Sequence, residues 1–74
     1  MNKTIYSKKY KEIISRLSKA REALKLTQAD VASALGKPQS YISKIERCER
    51  RLDIAELIEL SKIYKKDPKY FFEI

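Results

Sequence analysis

The sequence predicts an all-α fold, and three observations carry that expectation. Its 74 residues include one Gly and two Pro, too few turn formers for a succession of hairpins, while Lys, Glu, Leu, Ile and Ala dominate. Apolar residues recur at three- and four-residue steps in several separate stretches. Two of those stretches open on a capping-box pattern, Thr27 with Asp30 and Asp53 with Glu56. A chain this short has surface for one hydrophobic core, so residues 1–74 are expected to form a single domain.

Helix one is expected from about Thr4 to Lys25. Tyr6, Tyr10, Ile13, Ile14, Leu17, Ala20 and Leu24 share its inner face, and Lys8, Lys9, Lys11, Glu12, Arg16, Lys19 and Glu22 its wet side. Helix two is short, about residues 28–35, with Val31, Ala32 and Leu35 inward and Gly36 as a left-handed C-terminal residue. Pro38 forbids continuation and suits the first turn of a third helix that runs to about Arg47, with Ile42 and Ile45 inward. Asp53 opens helix four, which carries Ile54, Leu57, Ile58, Leu60 and Ile63. Asp67-Pro68 begins a last short helix that ends in Tyr70, Phe71 and Phe72.

Composition excludes several kinds of function. With no His and a single Cys, Cys48, the chain has neither the ligand cluster of a zinc site nor an intrachain disulfide, and no cofactor is expected. No nucleophile motif or Gly-rich phosphate loop supports an enzyme, and no small-molecule ligand is indicated. The apolar runs are only a few residues long, and the lysine-rich start lacks the apolar centre of a secretory signal, so a cytoplasmic location fits best. The charge points to a polyanion. Residues 1–51 hold thirteen basic and five acidic side chains, an excess of eight, whereas residues 52–74 hold four and five.

Two short helices joined by a Gly-containing turn, residues 28–47, constitute a helix-turn-helix unit. Ala32 allows close approach at the crossing, and Gly36 adopts the turn without the strain a Cβ would add. In Leu26-Thr27-Gln28-Ala29-Asp30-Val31-Ala32, Leu35-Gly36 and Gln39-Ser40-Tyr41-Ile42-Ser43-Lys44-Ile45-Glu46-Arg47 the chain resembles the phage-repressor and Cro-type helix-turn-helix proteins, the XRE family, over roughly residues 13–72. The resemblance implies a five-helix, lambda-repressor-like domain. It implies a sequence-specific transcriptional regulator of double-stranded DNA, a homodimer on a near-palindromic operator, with helix three, about residues 38–47, in the major groove.

The chemistry of the outward face agrees with that docking. Gln can bridge adenine N6 and N7, and Lys can donate to guanine, so Gln39, Ser40, Ser43 and Lys44 are the expected base contacts. Gln28 is the family's phosphate ligand at the start of helix two and can brace Gln39. Lys37, Tyr41, Arg50 and Arg51 are the further expected phosphate contacts. Arg21 and Glu46 are expected to form the family's ion pair between helix one and the end of helix three.

The chain departs from the family in two places. Cys48 stands where relatives commonly have Gly, so helix three can end differently; the thiol reads as a plain substitution. Residues 1–12 extend helix one beyond the family minimum. Ile5, Tyr6, Tyr10, Tyr70, Phe71, Phe72 and Ile74 either cover one another within a subunit or supply a dimer interface. The competing reading is a protein-interaction or dimerisation module built on the same fold, without specific DNA binding. A basic membrane-surface helix comes third, because the bundle core already accounts for the stripe on helix one.

Overall fold

The computed structural model describes residues 7–73. Its elements are α1 (Lys8–Ala23), α2 (Gln28–Leu35), α3 (Gln39–Glu46), α4 (Ile54–Ile63) and α5 (Lys69–Phe72), with no strand among the described residues. The fold is therefore the all-α, five-helix arrangement that the sequence predicts. The expected first turn of helix one, along with Ile5, Tyr6 and Ile74, lies outside the described residues. Helix α1 begins after Ser7, whose hydroxyl accepts the Tyr10 N–H as an N-cap.

The two capping boxes form as read. Thr27 and Asp30 exchange hydrogen bonds at the start of α2, as do Asp53 and Glu56 at the start of α4. Pro38 does not enter the first turn of α3. It sits one position earlier, as the extended N-cap, and offers no side-chain acceptor to the turn that follows. The last helix likewise starts at Lys69, with the Asp67 carboxylate accepting the Lys69 N–H.

The first four helices close alike. Lys25, Gly36, Cys48 and Lys65 all take positive φ, and the next residue reaches back to a carbonyl five positions earlier: Leu26 to Arg21, Lys37 to Ala32, Glu49 to Lys44 and Lys66 to Ser61. The different ending to α3 that Cys48 could have forced is not realised. The thiol residue adopts φ 58° and retains the motif at the cost of some strain.

The core is Ile14, Leu17 and Ala20 of α1, Val31 and Ala32 of α2, Ile42 and Ile45 of α3, Leu57 and Leu60 of α4, Tyr64, and Phe71 of α5. One expected inward residue is corrected: Leu24, past the end of α1, is 40% exposed. Of the apolar residues that α4 carries, Ile54 and Ile58 are 60% and 39% exposed. The buried face of α4 runs through Leu57, Leu60, Ser61 and Tyr64, a three- and four-residue spacing from which Ile58 is turned away. Ser61 fits inside because its hydroxyl donates to the Ile58 carbonyl. α2 and α3 pack chiefly on each other and α1 packs on α3 and α5, so α3 is held at the edge of the bundle with one side outward.

Candidate nucleic-acid interface

On α3, Ile42 and Ile45 are buried, so the side chains between them point away from the core. Gln39, Ser40 and Lys44 are exposed and Ser43 is half-buried. The N-terminus of α3 has no side-chain cap, which leaves backbone N–H groups and the positive end of the helix dipole next to Gln39 and Ser40.

The inner end of the helix is anchored on Glu46. Its Oε2 accepts the Arg21 Nε–H at 2.7 Å. Its Oε1 accepts from Arg21 Nη2 at 3.1 Å, from Gln28 Nε2 at 2.9 Å and from the Ser18 hydroxyl at 3.3 Å. The Arg21 and Glu46 side chains are only 12% and 9% exposed, so this forked pair is largely withdrawn from water. A third guanidinium nitrogen, Arg21 Nη1, donates to the Leu26 carbonyl at 2.7 Å, which ties α1 to the turn before α2. Tyr64 lies in the same interior; burial pushes its hydroxyl pKa up, the Glu46 charge adds to the effect and Arg21 opposes it. Gln28 passes the connection outward, its Oε1 accepting from Gln39 Nε2 at 3.3 Å.

A second cluster holds the segment after α3. The Glu56 carboxylate, already engaged in its capping box, also accepts from the Tyr41 hydroxyl at 2.5 Å and from both terminal nitrogens of Arg50, at 3.2 and 2.9 Å. The Arg50 guanidinium stacks over the Tyr41 ring at 4.5 Å, and Lys37 Nζ lies 5.5 Å from the same ring. Burial pushes the Tyr41 hydroxyl up to about 12, and its bond to Glu56 acts in the same direction. Burial would also raise Glu56, but the donors from Arg50, Tyr41 and the Asp53 backbone outweigh it and bring the carboxyl down to about 2.

The structure thus brings Gln28, Gln39, Arg21 and Glu46 together in one chain of hydrogen bonds, and Lys37, Tyr41 and Arg50 in another cluster. Arg51 remains exposed, joined to this group only through its carbonyl, which accepts from Arg50. Ser40, Ser43 and Lys44 stand on the outward face apart from both networks.

Three residues without a functional signal in the sequence complete the frame. The Tyr10 hydroxyl accepts the Leu52 N–H at 2.9 Å and donates to the Arg50 carbonyl at 3.4 Å, which pins the segment after α3 to α1. Glu56 had a sequence signal only as a cap. Ser18 had none beyond its place on α1.

A helix presented at the bundle edge, preceded by a braced helix and a left-handed glycine turn, defines a helix-turn-helix module of the kind that docks on duplex DNA. The family model described as helix-turn-helix matches residues 17–71, about three quarters of the chain, and the protein belongs to that family of DNA-binding transcription regulators. No curated protein and no solved structure matches the chain. Among the described residues no helix is long and apolar enough to cross a membrane.

Proposed function

We propose that this chain is a sequence-specific regulator that binds double-stranded DNA as a homodimer, its single helix-turn-helix domain inserting α3 into the major groove of each half of a near-palindromic operator. The observation that carries the reading is the exposed, uncapped start of α3, where Gln39 is held in place by Gln28 instead of hanging free. Gln39, Ser40, Ser43 and Lys44 read base edges. Gln28, through its backbone N–H at the start of α2, and Lys37, Arg50 and Arg51, through their side chains, set the register on phosphates.

Hydrogen inventory refines two of these roles. Both Nη1 hydrogens of Arg50 are used within the chain, which leaves Nε–H and one Nη2 hydrogen for a phosphate. Tyr41 has one hydroxyl hydrogen and gives it to Glu56, so a phosphate takes that bond only by displacing the carboxylate. In the unliganded chain Tyr41 serves as the platform under Arg50 and Lys37.

Pairing of two subunits is supported by a largely apolar groove of about 270 Å³ lined by Tyr10, Ile13, Leu52, Ile54, Leu57 and Phe72, with Asp53 at its edge; Ile58 and Tyr70 are exposed as well. A single eight-residue helix reads few base pairs, and a two-fold pair doubles the site. The same exposed apolar groups are what a protein-interaction module would present, and that reading has no use for the outward face of α3.

Selection of bound duplexes from a random pool at fixed salt separates the two. The DNA reading requires a recovered site with two half-sites about one helical turn apart. It also requires Gln39→Ala to relax one base pair in each half, where a bidentate contact carries about 1–3 kcal/mol of discrimination. Arg51→Ala should weaken binding evenly over all sequences and reduce the log-log salt slope by about 0.9 for each phosphate that is no longer neutralised. Recovery of no enriched duplex overturns it.

A further inference from the structure

Resting on that reading, we infer that Glu46, a residue on the inner side of α3, decides which hydrogen-bonding edge Gln39 offers to a base pair. Counting hydrogens is enough to show why. A carboxylate that receives hydrogen bonds from Arg21, Ser18 and Gln28 can only accept. Gln28 must therefore turn its amide NH₂ inward to Glu46, which leaves its carbonyl oxygen facing outward. That oxygen can only accept in turn, so Gln39 must give it an N–H, as in the 3.3 Å contact from Gln39 Nε2 to Gln28 Oε1.

Amide orientation is normally ambiguous, because the oxygen and nitrogen of a Gln side chain are nearly the same size. Here the ambiguity is removed at both glutamines by a group that has no proton to give. One N–H of Gln39 is spent on Gln28, and what remains for a ligand is its carbonyl oxygen and the second N–H. One acceptor beside one donor is the complement of adenine, which shows N6–H₂ and N7 in the major groove. The reversed amide would accept from Gln28 and present two N–H groups, a donor-only edge suited to guanine O6 and N7. Glu46 is thus a positioning residue: it touches no base and acts through Gln28. Arg21 and Ser18 hold the carboxylate in place, and the low exposure of the Arg21–Glu46 pair shields the inner end of the relay from water, while its outer contact, from Gln39 to Gln28, is exposed.

The test compares Glu46→Gln and Gln28→Ala with the unaltered chain. Gln at position 46 can donate or accept, so the direction of the relay is no longer imposed. Since this change also leaves Arg21 without its counter-charge and can cost the fold, Gln28→Ala supplies a second break that leaves the Arg21–Glu46 pair intact. Duplexes carrying A or G at the position that Gln39→Ala relaxes are titrated at one salt concentration. Both variants should narrow the preference for A over G at least about fivefold, whatever happens to overall affinity, while Glu59→Ala, an exposed change on α4, leaves that ratio unchanged. In the free protein, the two Gln39 side-chain amide protons should be further separated in chemical shift than those of a free glutamine, because one of them is bonded to Gln28, and the separation should narrow towards the free value in either variant. An unchanged A-to-G ratio in a folded variant overturns the inference even if the chain binds DNA. Absence of duplex binding by the unaltered chain overturns the DNA reading and its base-reading corollary together, and the amide signals then report whether the relay itself exists.

Discussion

Replacing Glu56 by Gln probes the cluster that fixes the segment after α3. Gln keeps the volume and one carbonyl acceptor, but it loses the charge that two Arg50 nitrogens, the Tyr41 hydroxyl and the Asp53 N–H converge on. The carboxyl stands at about 2 instead of its ordinary 4.5, a displacement worth about 3 kcal/mol undamped. Glu56 is 21% exposed and Arg50 39%, so solvent screening reduces the contribution to about 1–2 kcal/mol. The folded value lies below the unfolded one. The stabilisation is therefore complete above about pH 4.5, declines as the pH falls, and is gone below about 2. Urea denaturation followed by helical circular dichroism should place the variant about 1–2 kcal/mol below the unaltered chain near neutrality, or about 5–10 °C in melting temperature for a domain of this size. That gap should close towards zero as both are taken down through the acid range. The other carboxylates are common to both proteins, so the difference reports on the Glu56 cluster. A gap that stays constant with pH, or a variant as stable as the original at neutrality, would refute the assignment of the low carboxyl to this cluster.

The helix ends and α1 supply further expected outcomes. Lys25 and Lys65 are exposed residues at positive φ, so Lys25→Gly and Lys65→Gly should each add about 1 kcal/mol of stability in the same denaturation assay. Cys48→Gly should be close to neutral, because relief of similar strain is offset by loss of a half-buried thiol packed on the core, about 0.8 kcal/mol per methylene equivalent; a Cys48→Gly gain as large as at the lysines would show that the thiol contact contributes nothing. Tyr10→Phe removes the acceptor of the Leu52 N–H and should cost about 1–2 kcal/mol, with faster amide exchange at Leu52 as the local readout. An unaltered Leu52 exchange rate would show that the hydroxyl does not hold that segment.

What could be read from the chain was what lies close along it. The Thr27–Asp30 and Asp53–Glu56 boxes span three residues, and Gly36 announces its own conformation, so the starts of α2 and α4 and the turn before α3 were legible. Ser7 was hidden because the apolar rhythm of Ile5, Tyr6 and Tyr10 runs through it without a break. Ser61 and Tyr64 escaped as core because one is polar and the other amphipathic. Ile54 and Ile58 suggest an inward position because they are apolar, although the face set by Leu57 and Leu60 turns past them. Contacts between distant positions were out of reach of spacing: Tyr10 with Leu52 is 42 residues apart, and Arg16 with the Tyr70 carbonyl 54. The Arg21–Glu46 and Gln28–Gln39 pairings came from the family likeness. Neither residue type nor spacing would have selected Arg21 and Glu46 from seventeen basic and ten acidic side chains.

The two glutamates behind α3 also separate two kinds of force that a chain of net charge +7 would otherwise mix. Arg21 and Arg50 are bound by Glu46 and Glu56, and Arg47 by Glu49, so much of the basic charge around the recognition helix is locally neutralised. Lys37, Lys44 and Arg51 make no ion pair among the described residues and keep their charge for a polyanion. Unpaired charge acts over about 8–10 Å at physiological salt and attracts any phosphate, whatever the sequence. Hydrogen-bond direction acts only at contact and separates one base edge from another. Partnering the arginines with inner carboxylates lowers the first, and routing one of those carboxylates through Gln28 to Gln39 gives the second a defined polarity. In the proposed DNA-binding mode, discrimination is a difference between correct and incorrect sites, so a smaller indiscriminate attraction and a directed amide would raise the same ratio from opposite sides.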